Sequence, residues 1–191
     1  MMKRLVVFAS GSGTNTQNII QCFQQTNSIS VVQVLTNKKG AKVIDKCKAL
    51  NVSCLTFEKE ELIGQNGVLK LLKKLNPDLI ILAGFLLKFP EHILKEFPNR
   101  VINLHPSLLP KFGGKGMYGM HVHKAVLQNN EKETGITIHN VNENYDEGAI
   151  IFQKSFQLNK NETPETIAKK IHELEYKYFP KVIESLLLKN N

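Results

Sequence analysis

The stretch Asn103-Leu104-His105-Pro106-Ser107-Leu108-Leu109-Pro110 (NLHPSLLP) closes a short apolar run, Val101 to Leu104, with an amide, an imidazole and two prolines. In extended backbone, period two sends the Asn103 and His105 side chains to one side. In an open parallel sheet, ligands gather outside the carboxyl ends of the strands. The reading of this stretch therefore depends on whether the rest of the chain builds such a sheet.

Outward from it, strand-length and helix-length periods alternate. Leu5 to Ala9, Val31 to Thr36, Val52 to Phe57, Asp78 to Gly84 and Val101 to Leu104 are short runs rich in Val, Ile and Leu. Between them Asn15 to Gln25, Ala41 to Leu50, Val68 to Leu75 and Glu91 to Phe97 carry apolar residues at a spacing near 3.6. This order predicts an α/β fold, an open, mostly parallel twisted sheet with helices on both faces. Beyond residue 130 the order changes. Thr134 to Val141 and Ala149 to Leu158 are strand-like and joined by the polar NENYDEG, which predicts a hairpin-like antiparallel addition. Pro164 to Leu188 reads as a helix with Thr163 as N-cap and Pro164 in its first turn, and Pro180 is expected to kink or break it.

The 191 residues are 42% hydrophobic and 22% charged, ordinary for a globular chain and unlike a disordered one. The longest apolar stretch, Leu79 to Leu87, is too short to cross a bilayer, and no cleavage-type signal follows Met1-Met2-Lys3-Arg4. A cytoplasmic protein without a membrane partner is expected. Cys22, Cys47 and Cys54 have no C-x-x-C pairing, so neither a disulfide framework nor a zinc site is indicated. The formal charge of +8 suits an anionic partner, but the lysines are spread over many amphipathic segments and no RNA-binding aromatic pattern accompanies them. No specific nucleic acid is expected.

Two further signals carry chemistry. SGSGTN, Ser10 to Asn15, lies between the first strand and first helix, where glycines turn backbone N–H groups toward an anion and the helix N-terminus adds positive partial charge. A phosphate cradle follows, with a sterically demanded tight turn as the other reading. Thr16 stands in place of the third glycine of G-x-G-x-x-G, and Asn37 stands where an acidic ribose ligand would be, so nicotinamide binding is disfavoured. Asp146, in NENYDEGAII, reads either as a turn residue or as a carboxylate that favours the imidazolium of His105. Asn103 can donate to a carbonyl oxygen, and a protonated His105 can stabilise the oxyanion formed on attack. Composition and spacing do not show that these segments meet.

SGSGTN, LAGF, NLHPSLLPKF, GITIHNVNENYDEGAII and ELEYKYFPKVI together resemble, in order and over nearly the whole chain, the phosphoribosylglycinamide formyltransferase family of folate-dependent purine-synthesis enzymes. The resemblance implies a single Rossmann-like formyltransferase domain over 1–191, with a ribonucleotide phosphate-binding half at 1–100 and a catalytic and folate-binding half at 101–191. It implies transfer of a formyl group from 10-formyltetrahydrofolate to the amine of glycinamide ribonucleotide, with no metal and no tightly bound cofactor. Gly13, Thr14 and Asn15 would hold the phosphate, and Glu175 the sugar hydroxyls. Leu86, Leu87, Lys88 and Phe89 would line the pterin pocket through backbone contacts. Asn103 and His105 would polarise the formyl carbonyl, while Asp146 would keep His105 protonated and help move protons. The state would be monomer or homodimer.

Two features depart from the family pattern. KFGGKGMYGMHVH, Lys111 to His123, is longer than the usual connection and would cover the site or join a subunit contact. Its His121 and His123, two possible ligands without a third, read as surface or helix-start residues. Leu55 to Leu75 holds no arginine where many members have one that meets folate. The alternatives are a formyltetrahydrofolate hydrolase, another formyltransferase such as the methionyl-tRNA enzyme, and a non-enzymatic nucleotide-binding module.

Overall fold

In the computed structural model, which describes residues 1–188, β1 (Lys3–Phe8), β2 (Ile29–Thr36), β3 (Cys54–Thr56), β4 (Leu79–Leu82) and β5 (Val101–His105) are parallel. β6 (Glu133–Asn140) and β7 (Ile150–Gln157) join antiparallel, and the seven strands lie in the order β3-β2-β1-β4-β5-β6-β7. The apolar runs explain why β1 lies inside the sheet, between β2 and β4. Leu5, Val7 and Ala9 enter one core with α1 (Thr14–Gln24), α2 (Val43–Ala49), α6 (Met120–Gln128) and α7 (Pro164–Leu188). Val6 and Phe8 enter the other with α3 (Lys59–Ile63), α4 (Val68–Leu75) and α5 (Glu91–Glu96). A strand segment buried on both faces must be apolar, as Leu5 to Phe8 are after the charged Lys3 and Arg4 at the open end.

The sequence-based elements hold to within a few residues, and the expected antiparallel hairpin is β6 and β7. α3 and α6 are additional. α3 is short and begins with a capping box in which Glu58 and Glu61 each take the other's backbone N–H. The expected break at Pro180 does not occur, and α7 runs through it. A proline leaves the carbonyl four residues back without its helical donor. Here that group, Tyr176 O, accepts from Asn18 Nδ2 of α1 at 3.0 Å, while Pro180 itself is buried. The lost hydrogen bond thus becomes a tie between α1 and α7. Thr163 caps α7 as expected, its Oγ1 accepting from Thr166 N. Cys22, Cys47 and Cys54 are free thiols, and no helix among the described residues is long and apolar enough to cross a membrane.

The C-terminal ends of β1, β4 and β5 open on one side. The connections leaving β1 and β4 run to opposite sides of the sheet there, the usual place for a ligand crevice in such folds. β6 and β7 approach so closely that a Cβ at Gly135 would stand 2.0 Å from Lys154 O. Gly135→Ala should therefore destabilise the chain by about 1–3 kcal/mol in a denaturant titration, the usual range for overpacking. Gly40→Ala, where nothing lies within 4 Å, should change stability by no more than about 0.5 kcal/mol.

Candidate active site

β5 sends Val101, Asn103 and His105 to one face and Ile102 and Leu104 into the core on the other, so the period expected for NLHPSLLP is realised. The turn after the strand is pinned by Thr137 of β6, directly opposite His105. Its hydroxyl donates to Ser107 O at 2.6 Å and accepts from Leu109 N at 3.0 Å. His105 is 3% exposed. Its Nε2–H donates to Phe112 O at 2.8 Å, and its Nδ1 lies 3.5 Å from Asp146 Oδ2.

Asp146 connects the remaining parts. Its Oδ1 accepts from Asn103 Nδ2 at 3.2 Å, and its Oδ2 accepts from Gly114 N at 2.9 Å. The structure therefore brings Asn103, His105 and Asp146 together. It also adds His139, which sequence reading missed. His139 stands opposite Asn103 in the β5–β6 ladder. Its Nδ1–H donates to Asn140 O, which leaves Nε2 to accept from Asn103 Nδ2 at 3.1 Å. A signal was present, because Thr137 and His139 are polar at period two between Ile136 and Ile138.

Burial acts on these groups against their pairing. Burial lowers the His105 pKa, and although Asp146 and Phe112 O pull it upward, the outcome lies below the ordinary imidazole value. The pull of Asp146 and Phe112 O on His105 is thus smaller than the effect of burial. For Asp146, burial alone would raise the pKa. His139 and His105, in the forms that carry a proton toward Asp146, and the Gly114 N–H act the other way, and the outcome lies below the ordinary carboxyl value.

A cleft of about 570 Å³ joins this cluster to the glycine loop. Gly11 to Asn15, Ala83 to Leu86, Gly114 to Gly119 and Glu175 contribute to its wall. The segment Lys111–His123 thus splits into a cleft-lining loop and the start of α6. At the loop, the first helical N–H used is that of Gln17, bonded to Gly13 O, so the amides of Thr14, Asn15 and Thr16 remain open to an anion. Gly13 has φ 66°, and a Cβ there would stand 2.5 Å from the Val43 side chain, so packing against α2 already demands glycine. The Asn15 side chain turns away from an anion role, since its Nδ2 donates to Glu175 Oε2 at 2.8 Å. Glu175 is buried and also accepts from His172 Nδ1–H at 2.9 Å.

Of the expected pterin wall, Leu86 lines the main cleft. Leu87, Lys88 and Phe89 line an adjoining depression of about 380 Å³, together with Lys59 and Tyr145, and Tyr145 also borders the main cleft. Phe89 is buried, its ring edge-on to Phe8 at 5.2 Å, so only its backbone is open to contact. His121 is exposed at the start of α6, as expected. His123 also lies near the start of α6, but it is 3% exposed and lines the cleft, so of the two readings only helix-start holds for it.

The chain matches the formyl transferase family over residues 3–183. It is 35% identical over 195 residues to the phosphoribosylglycinamide formyltransferase of Bacillus subtilis (strain 168), covering 100% of this chain and 97% of that protein. It is 37% identical over 190 residues to the chloroplastic phosphoribosylglycinamide formyltransferase of Arabidopsis thaliana, and the match takes in 96% of this chain and 65% of the length of that relative. Among solved structures, the phosphoribosylglycinamide formyltransferase of Bacillus halodurans superimposes with a TM-score of 0.88 at 33% identity, covering 99% of this chain and 97% of that one. Glycinamide ribonucleotide transformylase 1 of Geobacillus kaustophilus also gives 0.88 at 33% identity, covering 98% and 100%. Sequence and fold agree along the whole length, and the chain belongs to the formyl transferase family, among its phosphoribosylglycinamide formyltransferases.

Proposed function

We propose that the chain transfers the formyl group of 10-formyltetrahydrofolate to the amine of glycinamide ribonucleotide. The observation that carries this reading is the meeting of Asn103, His105 and Asp146 at the wall of the cleft that also holds the glycine loop. In this reading the open amides of Thr14 and Asn15 receive the phosphate, with Gly13 shaping the turn. Glu175, oriented by Asn15 and His172, receives the sugar hydroxyls. Leu86, Leu87, Lys88 and Phe89 edge the folate side, and Lys59 and Lys88 are the cations bordering the adjoining depression. Lys70, Lys73 and Lys74 border neither cavity, and Lys73 pairs with Glu96.

The amine nitrogen attacks the formyl carbon, a C–N bond forms, and the carbonyl π electrons move to oxygen. Asn103 Nδ2 and the His105 Nε2–H are the nearby donors for that oxyanion. Both are engaged in the unliganded chain, Asn103 with Asp146 and His139, and His105 with Phe112 O. Substrate oxygen takes the place of one of those partners. Asp146 accepts the proton shed by the amine, directly or through His105, and the bond to the folate nitrogen breaks as that nitrogen is protonated.

The acceptor assay decides among the alternatives. With formyl-folate as donor, glycinamide ribonucleotide should turn over, while water and charged tRNA should give at most background. Formate release without ribonucleotide would point to a hydrolase, and formylation of the tRNA to another transferase. If the +8 charge served a polyanion, tRNA would bind with a steep salt dependence and compete with the ribonucleotide. Weak, non-competing binding is expected.

Asp146→Asn tests the cluster. Asp146 raises the His105 pKa against burial, so its removal should move the His105 titration, followed by NMR, further down. Turnover near neutral pH should fall by about 10²-fold or more, with ribonucleotide affinity little changed. Near-normal turnover would return Asp146 to a turn role.

A further inference from the structure

α6 carries two imidazoles, His121 and His123, that the reaction outlined above does not use, and of these His123 is the buried one. His123 is 3% exposed, lines the cleft, and has a buried Nδ1 with no hydrogen-bond partner among the described residues. A buried polar atom left unpaired is costly, and native chains keep very few. Its surroundings limit what it can bind. It shares the cleft wall with Ile171, His172 and Glu175 of α7, against which α6 packs. Burial pushes the His123 pKa down to about 4, although the Glu175 carboxylate pulls it up. The ring is therefore neutral at neutral pH, with one nitrogen donating and the other accepting. A neutral ring is poorly suited to a phosphate, which wants donors and positive charge. A hydroxyl both donates and accepts, as this ring does.

Glu175 Oε2 is already engaged by Asn15 and His172, and Oε1 makes no hydrogen bond among the described residues. Facing α6 and α7 thus bring to the wall of one cleft a carboxylate with a free oxygen and a neutral imidazole on which that carboxylate is the strongest charge acting. Two neighbouring hydroxyls on a five-membered sugar match such a pair. We infer that His123 is a substrate-positioning residue that hydrogen-bonds one ribose hydroxyl of the ribonucleotide beside Glu175. The inference rests on the proposed function for the identity of the ribonucleotide, but the sugar contact itself can be read without turnover.

The test uses the full chain, with His123→Leu to remove both ring nitrogens and His123→Gln to restore a donor and an acceptor. Calorimetry without folate should show His123→Leu weakening glycinamide ribonucleotide about tenfold or more, the scale of one hydrogen bond to a buried group. His123→Gln should recover part of the loss. In the assay, KM for the ribonucleotide should rise by a similar factor, with kcat within about threefold and the KM for formyl-folate unchanged. The 2′-deoxy and 3′-deoxy ribonucleotides give the reading that a merely structural role would not move. For one of them, wild type and His123→Leu should bind with equal affinity, because the hydroxyl and the imidazole are two halves of one contact. If both deoxy substrates lose the same further factor in the variant as the parent does, the sugar contact is wrong. A fall in kcat at constant KM would also overturn it. If wild type binds the ribonucleotide without formylating it and the calorimetric pattern holds, the proposed reaction fails and the sugar contact stands.

Discussion

The carboxylate of Asp146 is the junction on which the site depends. It bonds the last turn of sheet through Asn103 of β5, faces His105 at 3.5 Å, and takes the backbone N–H of Gly114 in the long loop. Asp146 also has φ 57°, in the left-handed region that Asp tolerates better than most residues. The turn reading of NENYDEG therefore holds in geometry, and the carboxylate of Asp146 lies near His105. The turn chemistry aims the side chain inward, and the aim lets one carboxylate tie three segments distant in sequence. A carboxylate with a side chain only 12% exposed is tolerable there because several donors meet it.

The unliganded cluster is closed on itself, with donors satisfied by protein acceptors and not by empty space. Asn103 gives its amide hydrogens to Asp146 and His139, and His105 gives its Nε2–H to Phe112 O. In the proposed reaction, substrate oxygen would exchange for one of these partners, which costs less than leaving a buried donor unpaired. Two residues lining the cleft, Asn15 through Oδ1 and His123 through Nδ1, carry a buried atom with no hydrogen-bond partner among the described residues.

The fold was legible where apolar period and length agreed, as in Val68–Leu75 and Pro164–Leu188, because burial on one or two faces leaves a regular imprint. Pro180 misled because local chemistry forbids a helical hydrogen bond there, and only the tertiary contact from Asn18 supplies the substitute. α3 is too short to show a period, and α6 follows a glycine-rich loop that hid its start. The site was legible in Asn103, His105 and Asp146 as residue types. Their meeting was not, since the β5–β6 register that sets His139 against Asn103 is a property of the sheet. Gly13 shows how two demands share one residue: the turn faces the cleft, yet Val43 behind it excludes any side chain.

Charge at the site differs from charge on the chain. The formal +8 would suggest that lysines gather where an anion binds, but Lys115 is the one lysine lining the main cleft, which also holds Asp146 and Glu175. In the proposed reading a phosphate would rely on the open amides at the start of α1 and on the helix dipole, with Lys115 the lysine of the cleft wall. That arrangement suits a small ligand that must leave as well as arrive. Fixed N–H dipoles select a phosphate by geometry, and a single cation on a loop adds attraction without fixing the anion in place. The dispersed lysines set a weak field over the surface, and the backbone of the glycine loop sets the address.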